Sequence, residues 1–155
     1  MLARLFPKQA DNDYRGLRLG LWLLVPLLLI RGLQGFNSIW IARETAIGAD
    51  GIPLDSYAPA AADTVVALFA LLGLGLIVLA SIGTVILLRY RALIPFAYLL
   101  LLVHSLGSRA IIMLHPILRA GAKMVGGISV GALVNYSLLA LMVLGFVLSL
   151  IERRK

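Results

Sequence analysis

Residues 93–115, LIPFAYLLLLVHSLGSRAIIMLH, constrain the fold more than any other stretch. An apolar run of this length crosses a bilayer as a helix, because about 20 residues rising 1.5 Å each match the hydrocarbon core. Three further runs share its length and character, so the predicted spans are residues 19–41, 59–88, 93–114 and 127–151. Water is absent at that depth, and a spanning segment must satisfy its own backbone N–H and C=O groups, which a helix does. The expected fold is all-α: a polytopic membrane protein with one integral domain over residues 1–155, built as a four-transmembrane-helix bundle.

Composition agrees with this class. Hydrophobic residues make up 61% of the chain, charged residues only 14%, and mean hydropathy is +1.01. Cysteine is absent, which excludes disulfides, thiolate metal sites and cysteine redox chemistry. The net charge of +7 would suggest nucleic acid in a soluble chain, but here its placement gives it another meaning. Arg4, Lys8, Arg15, Arg18, Arg89, Arg91, Arg153, Arg154 and Lys155 fall on one side of the predicted spans, against Arg43, Arg119 and Lys123 on the other. The positive-inside rule then places both termini and the 89–91 turn in the cytoplasm of an inner-membrane protein, with no nucleic-acid partner. A signal peptide is not expected, because the first apolar run exceeds a signal h-region and no small-residue cleavage site follows it.

In chain order, residues 1–18 form a basic lead suited to an amphipathic turn at the membrane surface. The first span carries Trp22 and Trp40 near its ends as interfacial anchors, and Pro26 within it. Residues 42–57 read as a polar loop, punctuated by Gly48, Gly51 and Pro53. The second span contains Gly73, Gly75, Ala80, Ser81, Gly83 and Thr84, small residues that let helix backbones approach closely. After the tight 89–91 turn and the third span, His115-Pro116 ends the helix and residues 117–126 form the last loop.

Polar side chains converge in depth. Counting about 1.5 Å per residue from the inner boundary, Arg31 and His104 both lie roughly 20 Å in, and Gln34, Ser108, Arg109 and Asn135 roughly 24 to 27 Å in. Three helices therefore place Arg31, Gln34, His104, Ser108, Arg109 and Asn135 in one layer of the outer half, with no Asp or Glu at that depth. Ionisable groups are costly in hydrocarbon, so an intramembrane Arg and His mark a candidate binding site by default. Each also has a plainer role. Arg109 can snorkel to headgroups, Arg31 can pair with Asp55 or Asp63, His104 can be a hydrogen-bonded packing residue, and Gln34 and Asn135 can bond across helices. Gly127 and Gly131, continued by Asn135, read as a helix-packing seam in which Gly131→Ala is nearly silent. No catalytic motif is present, His104 and His115 are too far apart along a helix for one metal, and no cofactor is expected.

Leu17-Arg18-Leu19-Gly20, Gly32-Leu33-Gln34, and the turn from Leu87-Leu88-Arg89 into Ala92-Leu93 resemble the DoxX-like four-helix membrane proteins. The resemblance implies a four-helix inner-membrane protein, often associated with redox or sulfur enzymes. Three functions fit the residues. The first is a membrane binding or carrier module whose polar layer holds an anionic or polar headgroup, either an anionic lipid or a small polar ligand. The second is a structural or accessory subunit, with a membrane-protein partner or a second copy. The third is an oxidoreductase subunit using quinone or haem. An enzyme is not the favoured expectation.

Overall fold

A computed structural model describes residues 5–7, 9–117, 119–120 and 130–152, and the backbone of 124–125 and 128–129. Among the described residues are four helices long and apolar enough to cross a membrane. The helices are α1 Arg18–Trp40, the short α2 Ala42–Gly48, α3 Pro59–Arg89, α4 Ile94–Leu114 and α5 Val130–Leu150. The all-α four-helix bundle is thus the observed fold. A 3-10 turn at Arg91–Leu93 joins α3 to α4 almost without a loop. Helix α1 packs on α3 and α5, and α4 packs on α5 and α3, so α1 and α4 face each other across the bundle diagonal.

Close helix approach rests on glycine at a few positions. A Cβ on Gly35 would lie 2.7 Å from the Gly73 carbonyl oxygen, and one on Gly73 would lie 2.8 Å from the Gly35 carbonyl oxygen. These two residues bring α1 and α3 into backbone contact, and Gly83 admits the Leu28 side chain two turns away. The small residues of α3 do not all serve this seam, however. Gly73, Ala80 and Gly83 are buried, whereas Ser81 is exposed and nothing lies within 4 Å of a Cβ on Gly75. At the other end Tyr98, fully buried, donates its hydroxyl to the Gly20 carbonyl (2.6 Å), and Gly145 leaves room for its ring. The main core gathers Leu24, Leu27 and Leu28 of α1 with Ile94, Tyr98 and Leu101 of α4 and Leu138 and Met142 of α5. Leu71, Leu72, Leu88, Trp22 and Trp40 stay largely exposed, as lipid-facing and interfacial side chains do.

Residues 42–57 are not the polar loop their composition suggests. Ala42 and Ala46, one turn apart on α2, are buried; Ile52 and Leu54 fold back beside them onto Ala62, Val65 and Phe69 of α3. This second small core makes the segment a cap over one end of the bundle. Gly51, at φ 71°, makes the left-handed turn that an L side chain adopts only under strain. Its carbonyl accepts the Ala120 N–H (2.8 Å), which ties the cap to the last connection. That connection holds an antiparallel pair, Met124–Val125 with Ile128–Ser129, so α5 starts at Val130 rather than at Gly127. Gly127 lies outside the described residues.

The lead before α1 also does more than lie on a surface. Asp11 C=O accepts the Ala92 N–H (3.2 Å) and Leu17 N–H donates to Leu148 C=O (3.2 Å). Gly16 is buried against the Ser149 carbonyl, and Phe6 stacks at a tilt on Phe96 with centroids 5.8 Å apart. The lead therefore closes the end of the bundle at which α1 starts and α5 finishes. Tyr14 donates its hydroxyl to Leu17 C=O (3.0 Å), and burial pushes that phenol up to about 12.

Candidate functional site

Arg31 lies on the face of α1 that looks into the bundle, one turn beyond Leu27 and Leu28, and is only 6% exposed. Its Nη1 donates to Gln34 Oε1 (2.9 Å) and to Asn135 Oδ1 (3.2 Å), and its Nη2 donates to Ser105 Oγ (2.8 Å). A guanidinium only donates, so both amides turn their oxygens toward it. Ser105 is oriented in turn by Met142 on α5, whose Sδ accepts its hydroxyl at 3.5 Å. One arginine thus links α1 to α5 beside it and to α4 across the diagonal.

Every one of these acceptors is neutral. Side-chain hydrogen bonds between membrane helices contribute about 0.6 kcal/mol each on average, so the three together offset much of the about 2.5–3.5 kcal/mol that an arginine costs at a helix centre. They do not cancel its charge. Among the described residues the Nε of Arg31 has no hydrogen-bond partner at all. The pairing expected with Asp55 or Asp63 is not made: Asp55 accepts from Arg43 at 3.0 Å in the cap, and Asp63 is exposed at the start of α3. A buried cation with an idle donor and no carboxylate is a group that attracts an anion.

The other layer residues take separate places. Ser108 donates back to the His104 carbonyl (2.7 Å), so its hydroxyl is used within α4 and Ser105 occupies the position by Arg31. The stripe Ile94, Tyr98, Leu101, Ser105, spaced by threes and fours, was the signal for that assignment. His104 is half-buried and within electrostatic reach of Arg31. Arg109 sits with its guanidinium carbon 4.0 Å over the Tyr136 ring on α5, a cation–π contact in place of simple snorkelling, and it too is close enough to Arg31 to repel it.

Gly131 is not part of a helix–helix seam. A Cβ there would lie 2.5 Å from the Ala49 carbonyl oxygen and 3.6 Å from Asp50 Oδ1, so the start of α5 is pressed against the cap. The expectation that Gly131→Ala is nearly silent therefore fails, because rigid backbone stands where the methyl would go. Burial raises the Asp50 carboxyl above the usual carboxylate range, and Arg119 pulls it back in part.

Among the described residues no three His, Asp or Glu side chains gather as a metal site would require. A cavity at the other end of the bundle, between Tyr14, Gly16, Pro95 and Ser149, touches none of the layer residues. No family model, curated protein or solved structure matches this chain.

Proposed function

We propose that this protein is a membrane binding or carrier module in which Arg31 holds an anionic group within the outer half of the bilayer. One observation carries the reading: a buried guanidinium with neutral acceptors on three sides and an Nε without a partner. In this reading Gln34, Asn135 and Ser105 position the guanidinium, while Arg109 supplies further positive potential nearby. The basic asymmetry of the loops supports an inner-membrane location with both termini in the cytoplasm. The cap then faces outward and covers the layer from the aqueous side.

The test is retention of anionic lipid or small anion by the purified protein in mild detergent, read by native mass spectrometry. Arg31→Gln keeps the chain length and removes the charge, and should lose the anion while the helices stay folded. Equal retention by the variant and the parent would remove the basis for the site. A second reading, an accessory subunit of a larger complex, is favoured by the two hydrogen bonds, to Asn135 and Ser105, that let Arg31 tie α1 to α5 and α4 by itself. It predicts a stoichiometric protein partner in the same preparation and no bound anion.

A further inference from the structure

Helix α3 has 31 residues, a length of about 46 Å at 1.5 Å per residue. A bilayer with its headgroups is about 40–45 Å thick, so Arg89, the last residue of α3, stands among headgroups when the helix spans it. The lead before α1 crosses the same level. Asp11 C=O accepts the Ala92 N–H at 3.2 Å, which fixes the lead against the turn after α3. Between the two lies an open groove of about 570 Å³, lined by Ala10, Asp11, Asn12, Leu88, Arg89 and Tyr90. That volume falls within the about 300–1,000 Å³ of small-ligand sites. The lead brings an acid to the groove, and α3 brings a base.

Both charges can serve a ligand. Asp11 Oδ1 accepts the Asp13 N–H (3.0 Å), which sets the direction of the carboxylate, while Oδ2 meets Arg15 only at 3.4 Å in an exposed pair. Exposed pairs of this kind are weak, and a carboxylate has about four acceptor sites, so acceptor capacity remains. Arg91 turns its Nε back to the Leu87 carbonyl (3.1 Å) and closes the end of α3. Arg89 is exposed and, among the described residues, has no acidic partner. Asn12 and Tyr90 add hydrogen-bond donors between the two charges. Leu88, 66% exposed, leads from the groove onto the lipid-facing side of α3. The ligand that matches this wall carries an anion and a cation a few bonds apart, joined to an apolar tail. We infer that the groove is the docking site of one phosphatidylethanolamine from the leaflet on the side of the termini, its phosphate on Arg89, its ammonium on Asp11 and its chains along Leu88. The ammonium offers three N–H donors to the carboxylate, whereas the trimethylammonium of phosphatidylcholine offers none. The site lies at the end of the bundle away from the Arg31 layer and stands apart from the anion-binding reading.

The experiment incubates the full-length protein with vesicles of equal parts phosphatidylethanolamine and phosphatidylcholine and reads the retained lipid by native mass spectrometry. The parent should retain phosphatidylethanolamine over phosphatidylcholine by about fivefold, the factor that one exposed ion pair of about 1 kcal/mol supplies. Asp11→Asn keeps the shape of the side chain and the backbone contact with Ala92, and should bring the ratio to about one. Asp13→Asn removes the same charge from a neighbouring position outside the groove, and should leave the ratio as in the parent. Arg89→Gln should weaken retention of both lipids alike, because both carry the phosphate. Equal retention of the two lipids by the parent overturns the inference. So does a ratio unchanged in Asp11→Asn, or retention unchanged in Arg89→Gln. Arg31→Gln should match the parent in this assay, so either reading can fail without the other.

Discussion

Replacing Arg31 by Met separates a binding arginine from a structural one. The substitution removes three hydrogen bonds, to Gln34, Asn135 and Ser105. Interhelical hydrogen bonds in membrane proteins are worth about 0.6 kcal/mol each on average; with the Gln34 bond inside α1 counted at the same value, about 2 kcal/mol is lost. Against this stands the cost of the charge itself, about 2.5–3.5 kcal/mol at a helix centre, which Met does not incur. The freed acceptors are not stranded, since the amide N–H groups of Gln34 and Asn135 can turn to serve each other and Ser105. The side chains are similar in length, so the site is not emptied. The two contributions nearly cancel, and Arg31→Met should unfold within about 1.5 kcal/mol of the parent, on either side of it. The assay is reversible unfolding by denaturing detergent in mixed micelles, followed by circular dichroism on both proteins without added lipid. A loss above about 3 kcal/mol would refute the reasoning, because it matches a buried charge network that the fold cannot do without. Arg31 would then be a helix lock, and its uncompensated charge would no longer argue for a ligand.

Three further outcomes follow from the packing and the cap. Gly35→Ala forces the α1–α3 crossing apart, because its methyl would meet the Gly73 carbonyl at 2.7 Å, and should cost about 1–3 kcal/mol in the same unfolding assay; Gly75→Ala, with open space around it, should be neutral or gain up to about 1 kcal/mol of helix propensity. Gly131→Ala pushes on the Ala49 carbonyl and should lower the melting temperature and speed proteolysis of the cap, and an unchanged melting temperature would show that cap and α5 are not in contact. The Asp50 carboxyl is raised by burial, so the folded cap favours its protonated form and stability is lost as pH rises through the folded value. Asp50→Asn should accordingly melt higher than the parent at neutral pH, and the parent should approach it on acidification; a parent that melts lower in mild acid would contradict the sign.

Depth and azimuth were not equally legible in the sequence. Depth follows from a fixed rise per residue between charged boundaries, and it placed Arg31, Gln34 and Asn135 in one layer, where the structure joins them. Azimuth depends on which face of each helix meets its neighbours, and hydropathy is nearly blind to it in a bilayer, where inward and outward faces are both apolar. Small residues did not resolve it either: Gly73 and Gly83 turn inward on α3, while Gly75 and Ser81 on the same helix turn out. The same blindness affected α4, where the layer was drawn through Ser108 and the contact with Arg31 is made one turn earlier by Ser105. The cap was hidden for another reason. Its burial depends on Ala46, Ile52 and Leu54 closing over α3, a tertiary contact that a segment rich in Gly, Pro and acidic residues does not announce.

What does report azimuth in such a chain is an obligatory hydrogen-bonding group. A polar side chain inside hydrocarbon must find a partner, so each one points toward another helix or toward whatever else can satisfy it. Tyr98 meets the Gly20 carbonyl, Ser105 meets Arg31 and Met142, and Asn135 meets Arg31. Applied to Arg31 itself, the same rule goes one step further. Its Nη1 and Nη2 atoms both find acceptors in the bundle, whereas its Nε and its charge do not.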